Sequence, residues 1–191
     1  MKIYRYIKWM SFLLMLFTVT LSLAAVPAWK IVPAESTLTF TAIQNGAPVT
    51  GQFKTFSGDI NFDPNQLNAS NVTIIVDVGS VSDAYSKLAE TLKSSDWFNV
   101  ALFPKAIFKS SQFIKTGDKN YESKGTLTLR DKTVPVTLTM TLDEYSATQA
   151  RMKGSAIIKR TAFGVGQGEW ADTSSIKDDV EIHFVVNAVK K

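Results

Sequence analysis

Two stretches of this chain alternate strictly between apolar and polar residues. Between positions 133 and 142, one face carries Val134, Val136, Leu138, Met140 and Leu142, and the other carries Thr133, Pro135, Thr137, Thr139 and Thr141. Near the C-terminus the apolar half of the pattern recurs as Val180, Ile182, Phe184, Val186 and Ala188. A period of two over about ten residues predicts a long β-strand with one buried face and one solvated face.

Residues 1–28 have the composition of a secretory signal peptide. A basic segment precedes an apolar run over residues 9–19, and small residues then end two cleavage motifs, at Ala24 and Ala28. The apolar run is short for a membrane anchor, which needs about 20 residues. We expect cleavage, preferably after Ala28, and a periplasmic domain of residues 29–191.

Charge and composition exclude several classes of function. Three of the 21 Lys and Arg residues lie in the leader, so the net charge falls from +4 to +1 in the mature chain. No basic patch interleaved with aromatic residues follows, and we expect no nucleic-acid partner. Cysteine is absent, which excludes thiol catalysis, disulfides and cysteine metal sites.

The strand patterns of the mature chain predict one all-β, antiparallel domain. About eight long strands joined mostly by hairpins favour an eight-stranded barrel, because closure removes exposed sheet edges. Pro135 has no N–H to donate, so we expect it at a bulge or at a gap between strands. The helical pattern is confined to Ala84, Leu88, Ala89 and Leu92, and the aromatic segment 97–104 after it predicts a cap on one barrel end.

No constellation of catalytic or metal-binding residues stands out. His183 is the one histidine and falls on the polar face of the last strand, without a nucleophile or further metal ligands beside it. The loop 164–168 is rich in glycine but lacks the Lys-Ser/Thr of a phosphate loop, so we interpret it as a tight bend under Trp170. We therefore predict neither catalytic nor metal residues.

Several motifs, in this order and spacing, resemble the YceI-like family of exported lipid-binding domains over nearly the whole mature chain. They lie at residues 36–40, 51–64 (GQFKTFSGDINFDP), 92–98 (LKSSDWF), 103–108 (FPKAIF), 125–129, 134–138 and 160–166 (RTAFGVG), and in the strand that begins near Val180. The resemblance implies a lipocalin-like barrel whose apolar tunnel holds a long-chain amphiphile: a polyisoprenoid, an isoprenoid quinone or a fatty-acid derivative. It implies no cofactor apart from such a bound lipid or quinone.

One departure from the family concerns the turn after the first long strand. Many members carry His-x-Gly there, whereas this chain has Gln44-Asn45-Gly46. A neutral amide replaces a titratable ring, so a headgroup contact at this turn would be insensitive to mildly acidic pH.

Headgroup contacts must supply the selectivity of such a protein. Burying a CH₂ group from water contributes about 0.8 kcal/mol. A lipid that comes from a bilayer does not gain this free energy again, because the bilayer already kept its tail away from water. Net affinity then depends on the fit of the tunnel and on polar residues at its mouth. We expect the site to include apolar wall residues (Phe40, Leu138, Met140, Phe163, Phe184), cap aromatics (Trp97, Phe98, Phe103) and polar candidates (Gln44, Asn45, Ser95, Asp96, Arg160). For Arg160, a structural role as a loop anchor is the competing interpretation.

Three other classes of protein remain open from the sequence: an enzyme acting on such lipids, an outer-membrane barrel, and a solid-core β-sandwich. The threonines opposite the apolar faces argue against the membrane barrel, whose outer face would be apolar. We also expect transient membrane contact, and a homodimer if the tunnel mouth is apolar enough to pair with a second copy.

Overall fold

A computed structural model describes residues 25–83 and 86–191 of the protein. The leader up to residue 24, and Ala84 of the predicted helix, lie outside these residues. The elements are β1 (Ala28–Ile31), β2 (Thr37–Gln44), β3 (Ala47–Phe53), β4 (Phe56–Asn61), β5 (Asn71–Asp77), β6 (Val81–Asp83), α1 (Ser86–Lys93), β7 (Lys105–Lys115), β8 (Asn120–Leu129), β9 (Lys132–Tyr145), β10 (Gln149–Lys159) and β11 (Ile176–Lys190).

Eight of these strands form a closed antiparallel ring. Their order is β1-β4-β5-β7-β8-β9-β10-β11, and β1 pairs back to β11 with Trp29 opposite Lys190 and Ile31 opposite Ala188. The predicted eight-stranded, lipocalin-like barrel is therefore confirmed. A ring of this size has room inside for side chains or for one small ligand.

The membership of the ring differs from the sequence-based expectation. β2 and β3, which read as barrel strands, are not part of this closed ladder: with β6 they extend the sheet from β11. Their side chains Leu38, Phe40 and Phe53 nevertheless line the barrel interior. β11 can serve both neighbours because it is 15 residues long: Ile176 to Val185 face β2, and Ala188 to Lys190 face β1. The sequence does not predict β1, because its four residues beside the leader are too few to show an alternating pattern.

Pro135 lies at a gap between strands, as predicted. It faces Thr126 of β8 on one side, while the ladder between β9 and β10 reaches only as far as Thr139 opposite Ser155. The missing N–H of Pro135 therefore leaves no ladder bond unmade on the β10 side. The 3₁₀ turn Arg160–Phe163 continues from β10 beyond this gap.

The alternating residues point as their pattern predicts. On β9, Val136, Met140 and Leu142 are buried, whereas Thr133, Thr137 and Thr139 are exposed. Among the described residues, no helix is long and apolar enough to cross a bilayer.

Aromatic side chains close one end of the barrel, here called the Trp29 end. Trp29 is 2% exposed, and its indole Nε1 donates a hydrogen bond of 2.9 Å to the carbonyl oxygen of Phe62. The Phe62 ring meets Phe113 and Tyr121 edge-on, and Tyr145 packs on Trp29 with ring centroids 5.4 Å apart. These rings come from five separated parts of the chain and form a plug.

The opposite end is covered by chain outside the barrel ladder. This cap consists of α1 and residues 94–104, as predicted from the aromatic segment. Leu92, Trp97 and Phe98 of the cap are buried, in a cluster with Phe163 and Val165 from the glycine-rich loop region.

Candidate functional site

The barrel encloses an apolar cavity of about 260 Å³. Among the described residues, those that line it are all apolar except Ser123 and Arg160. This volume is just below the range of about 300–1,000 Å³ that is typical of small-molecule pockets. The predicted hydrocarbon-lined interior is present, and the solid-core sandwich is excluded.

The cavity is long and narrow. Its lining residues on β11 run from Val180 to Ala188, and those on β9 run from Val136 to Leu142. At about 3.4 Å per residue these runs correspond to about 27 Å and 20 Å of strand, or about 20 Å and 15 Å along the barrel axis, because barrel strands are tilted by about 40°. One leaflet of a bilayer offers about 15 Å, half of a hydrocarbon core of about 30 Å. The space is shaped for one extended chain at least as long as a leaflet is deep.

Three phenylalanines of the wall lie over glycines on neighbouring strands. Phe40 faces Gly51 across β2 and β3, and Phe184 faces Gly154 across β11 and β10. A Cβ added at Gly154 would come 2.5 Å from the Phe184 ring, and one at Gly125 would come 2.7 Å from the Phe108 ring. Because glycine has no side chain, each ring can lie flat against the wall, and the centre of the barrel stays open.

The cap contributes one predicted aromatic residue to the cavity and directs two others elsewhere. Phe98 lines the cavity and contacts Phe53 with ring centroids 5.8 Å apart. Trp97 packs against Trp170 of the glycine-rich region instead. Phe103 lies beneath the guanidinium of Arg130, whose Cζ is 5.9 Å from the ring centre.

Arg130 also holds the cap to the barrel rim. Its Nη1 donates hydrogen bonds of 2.6 Å to the carbonyl oxygens of Trp97 and Gly164. The peptide oxygen of Asp96 accepts two further bonds of 2.8 Å, from the N–H groups of Gly166 and Gln167. The cap is thus attached to the glycine-rich loop through backbone atoms.

Arg160 is a structural anchor rather than a free headgroup contact. It is 2% exposed, and its guanidinium donates to the carbonyl oxygens of Lys177, Val165, Gly166, Asp172 and Ile176. These five bonds use all five N–H groups of the guanidinium. Burial lowers the pKa of Arg160, while Asp178 and Asp172 offset part of that effect. Carbonyl dipoles of the loop it folds and the nearby carboxylates of Asp178 and Asp172 stabilise its charge.

The loop around Arg160 needs glycine for this arrangement. Gly164 and Gly166 adopt positive φ angles of 66° and 76°. A Cβ on Gly166 would also overlap the Arg160 guanidinium. The tight bend predicted for residues 164–168 is present, and its function is to wrap an arginine.

The other candidates divide between the cavity and its surroundings. Six of the predicted residues line it: Phe40, Phe98, Leu138, Met140, Arg160 and Phe184. Seven do not: Gln44, Asn45, Ser95, Asp96, Trp97, Phe103 and Phe163. Asn45, with φ of 50°, turns the β2–β3 hairpin and donates its N–H to Ser175, while the side chains of Ser95 and Asp96 face outward. His183 is exposed on the outer face, 3.4 Å from Glu181.

One lining residue that sequence reasoning missed is Ser123. It belongs to an inward-facing row on β8 that reads Tyr121, Ser123, Gly125, Leu127 and Leu129. Two small residues at alternate positions of an otherwise large apolar row are the signal that could have identified it.

Replacing Arg160 by lysine should destabilise the protein. An ammonium offers three donors, so at least two of the five carbonyls lose their partner, and we expect the free energy of unfolding to fall by about 2–4 kcal/mol. Urea denaturation measures this change. Arg151→Lys is the control, because Arg151 is an exposed arginine for which we expect a change below about 0.5 kcal/mol. Equal stability of the two variants would contradict the anchoring role.

Gly51→Ala should narrow the cavity. A Cβ added at Gly125 or Gly154 would meet a backbone oxygen as well as the facing ring, whereas the nearest atoms to a Cβ at Gly51 all belong to the Phe40 ring. The Phe40 ring must therefore turn into the lumen. We expect affinity for a neutral hydrophobic dye, N-phenylnaphthylamine, to fall about tenfold, which corresponds to about 1.4 kcal/mol of overpacking. Adding Phe40→Leu should restore dye fluorescence. Failure of this rescue would show that Phe40 does not limit the space.

Comparison with known proteins gives a consistent family. The model of the YceI-like domain matches residues 29–188. A UPF0312 protein of Vibrio vulnificus is 29% identical over 148 residues, covering 75% of each chain. A UPF0312 protein of Pseudomonas aeruginosa is 29% identical over 146 residues, covering 74% of each.

Solved structures share the fold. BcnA of Burkholderia cenocepacia has a TM-score of 0.78 at 32% identity, covering 82% of this chain and 98% of that one. A polyisoprenoid binding domain of Saccharophagus degradans has a TM-score of 0.70 at 16% identity, covering 86% and 99%. The motifs, the barrel and the family model agree, and the chain belongs to the family of YceI-like domains.

Proposed function

We propose that this protein is a periplasmic binding and carrier protein for a long-chain amphiphile of the isoprenoid type. The observation that carries the proposal is the cavity. It is a narrow space that extends along about 20 Å of strand, and among the described residues its lining is apolar except for two. An aqueous compartment makes such a space useful, because it shelters a tail that water would reject. The polyisoprenoid binding domain of Saccharophagus degradans supports this ligand class by analogy of fold.

The lining supports binding rather than catalysis. Within the described residues, Ser123 is the one hydroxyl that reaches the cavity, and no histidine or carboxylate lines the cavity beside it. A nucleophile without a neighbouring base stays unactivated. The described lining of the cavity therefore lacks the acid–base pair that the alternative function, an enzyme acting on such lipids, would need.

Membrane contact at the cap would let the lipid enter. Leu102 is 70% exposed at the tip of the cap, and the neighbouring Ala101 and Pro104 are exposed as well. The cap lies outside the barrel ladder, so it can be displaced without breaking the ring. The aromatic plug at the Trp29 end is interlocked with the ring and offers no such segment. We infer that the ligand passes at the cap end.

A bulky residue inside the barrel should displace the lipid. We expect protein purified gently from the periplasm to carry a lipid in native mass spectrometry, and Leu138→Trp to lose most of it, because the indole fills the narrow part of the cavity. Thr137→Trp is the matched control on the same strand, since Thr137 is exposed on the outer face. Circular dichroism checks that both variants fold. Lipid-free wild-type protein, or equal lipid in both variants, would contradict the proposal.

Export requires removal of the leader, and the sheet favours one of the two cleavage sites. The carbonyl oxygen of Pro27 accepts a hydrogen bond from Phe62, and that of Ala28 accepts one of 2.9 Å from Lys191. A cut after Ala28, which the sequence motif favours, would remove both acceptors and place a charged amine on the buried Trp29. We propose cleavage after Ala24, so that residues 25–28 remain. The intact mass of the periplasmic protein distinguishes the two sites, and a chain beginning at Trp29 would refute the proposal.

A further inference from the structure

The hydroxyl of Ser123 lies in the cavity without a partner. Ser123 is 0% exposed, lines the cavity, and its Oγ makes no hydrogen bond. Its neighbours across the ladder are Phe113 on β7 and Leu138 on β9, both apolar. Buried hydroxyls in folded proteins are normally bonded, so an unbonded one facing an apolar cavity requires an explanation.

Another buried serine shows what a purely structural hydroxyl does in this sheet. Ser110 on β7 is 7% exposed, and its Oγ donates to Lys124 at 2.7 Å and accepts from the N–H of Gln112 at 3.1 Å. There the hydroxyl holds a bulge together. Ser123 has no comparable task, although alanine or valine would fill its position without an unpaired polar atom.

The second polar residue of the lining cannot take the same part. All five N–H groups of Arg160 are bonded to carbonyl oxygens of its own loop. Among the described residues that line the cavity, Ser123 is therefore the one polar side chain with hydrogen-bonding capacity left. An apolar cavity of this kind stays dry, so water is a poor partner for it.

We infer that Ser123 is a polar subsite inside the cavity, where its hydroxyl exchanges a hydrogen bond with an uncharged oxygen of the bound lipid. This inference rests on the proposed lipid-binding function and specifies its ligand. Alcohols, ethers and quinone or ketone carbonyls carry such an oxygen. A hydroxyl can donate to each of them and can also accept from an alcohol.

The chemistry around Ser123 excludes a charged headgroup at this position. A phosphate or carboxylate in an apolar cavity needs a cation or several donors beside it. Ser123 offers one hydroxyl, and its two cross-strand neighbours offer no hydrogen-bond donor. Lipid phosphates and ionised fatty acids are thereby excluded from the subsite.

The place of Ser123 on β8 sets the orientation of the ligand. Tyr121 of the aromatic plug is two residues away, or about 7 Å, whereas Leu129 near the cap is six residues away, or about 20 Å. The oxygen-bearing end of the lipid therefore lies close to the Trp29 end. Its hydrocarbon chain extends toward the cap.

A pair of ligands and a pair of variants test the subsite. The ligands are geranylgeraniol and the hydrocarbon in which hydrogen replaces its hydroxyl, and affinities are measured by displacement of N-phenylnaphthylamine. Ser123→Ala should weaken binding of the alcohol about threefold to tenfold, the equivalent of one lost hydrogen bond, and leave the hydrocarbon unchanged. Ser110→Ala, the matched control, should leave the affinities for the alcohol and for the hydrocarbon unchanged.

Thermal unfolding adds a readout that a structural role would not give. Removing an unpaired buried hydroxyl should leave the Tm of the empty Ser123→Ala protein unchanged or raised, whereas Ser110→Ala should lower it. With geranylgeraniol bound, the stabilisation of Ser123→Ala should be smaller than that of wild type. A lowered Tm of empty Ser123→Ala would overturn the inference.

The orientation is tested with a prenylated benzoquinone, whose ring quenches tryptophan fluorescence at short range. The variant Trp97→Phe/Trp170→Phe leaves Trp29 as the reporter in residues 29–191, and Trp29→Phe leaves Trp97 of the cap and Trp170, which packs against it. We expect strong quenching in the first and weak quenching in the second. The reverse result would overturn the orientation.

The outcomes separate this inference from the function on which it rests. If wild type binds alcohol and hydrocarbon but Ser123→Ala affects both equally or neither, the polar subsite is wrong and the carrier function stands. If wild type binds neither ligand and carries no lipid from the cell, the proposed function fails as well.

Discussion

The open centre of this barrel depends on how its inner face is filled. An eight-stranded ring is just wide enough either to be packed solid or to hold a ligand, so the size of a few inward residues decides which. Here the three rings of Phe40, Phe108 and Phe184 lie over glycines and leave the axis free. The same aromatic residues would close the cavity if those glycines carried side chains. The wall of the barrel can therefore carry large apolar side chains and still leave the centre empty.

Stability lost at the empty centre is offset at the two ends. The Trp29 end is packed with interlocked rings, and its one buried indole N–H is bonded to a carbonyl. At the other end a buried arginine organises a glycine-rich loop through five carbonyls, and a second arginine joins this loop to the cap. In both arginine sites the hydrogen-bond acceptors of the guanidinium are carbonyl oxygens and not carboxylates. The packing at the two ends thus frames a cavity that contributes little cohesion of its own.

The parts that the sequence predicts are those governed by local periodicity. The apolar rows of β9 and β11 define the inner wall correctly, because alternation alone assigns a strand's two faces. This approach does not detect β1, because its four residues are too few to show a period and form a strand only by pairing with β11 and β4. The same reason explains why β2 and β3 were placed in the ring. Strand order is a property of contacts between distant residues, and one sequence does not display it.

Polar residues were harder to assign than apolar ones, and the reason is geometric. Asn45, Ser95 and Asp96 lie in turns, and Gln44 is the last residue of β2 beside one, where polar residues are expected on grounds of solvation alone. Arg160 does reach the cavity, but its donors are used by carbonyls that come from positions 165 to 177. Ser123 differs because a hydroxyl inside an apolar row has no solvation reason to be there. Unexplained polarity within a buried face is the better guide to a binding residue.

The proposed carrier must release what it binds, and this requirement gives the sparse polarity of the cavity a physical meaning. Moving a hydrocarbon chain from a bilayer to an apolar cavity exchanges one dry environment for another, so the free-energy difference is small whatever the length of the chain. Loading and unloading can then both proceed under modest changes in lipid supply. A cavity with many polar contacts would bind one lipid too tightly to return it. The single hydrogen bond proposed for Ser123 would contribute about threefold to tenfold in affinity, which is enough to prefer one class of oxygenated lipid over its hydrocarbon neighbours and small enough to leave the exchange reversible.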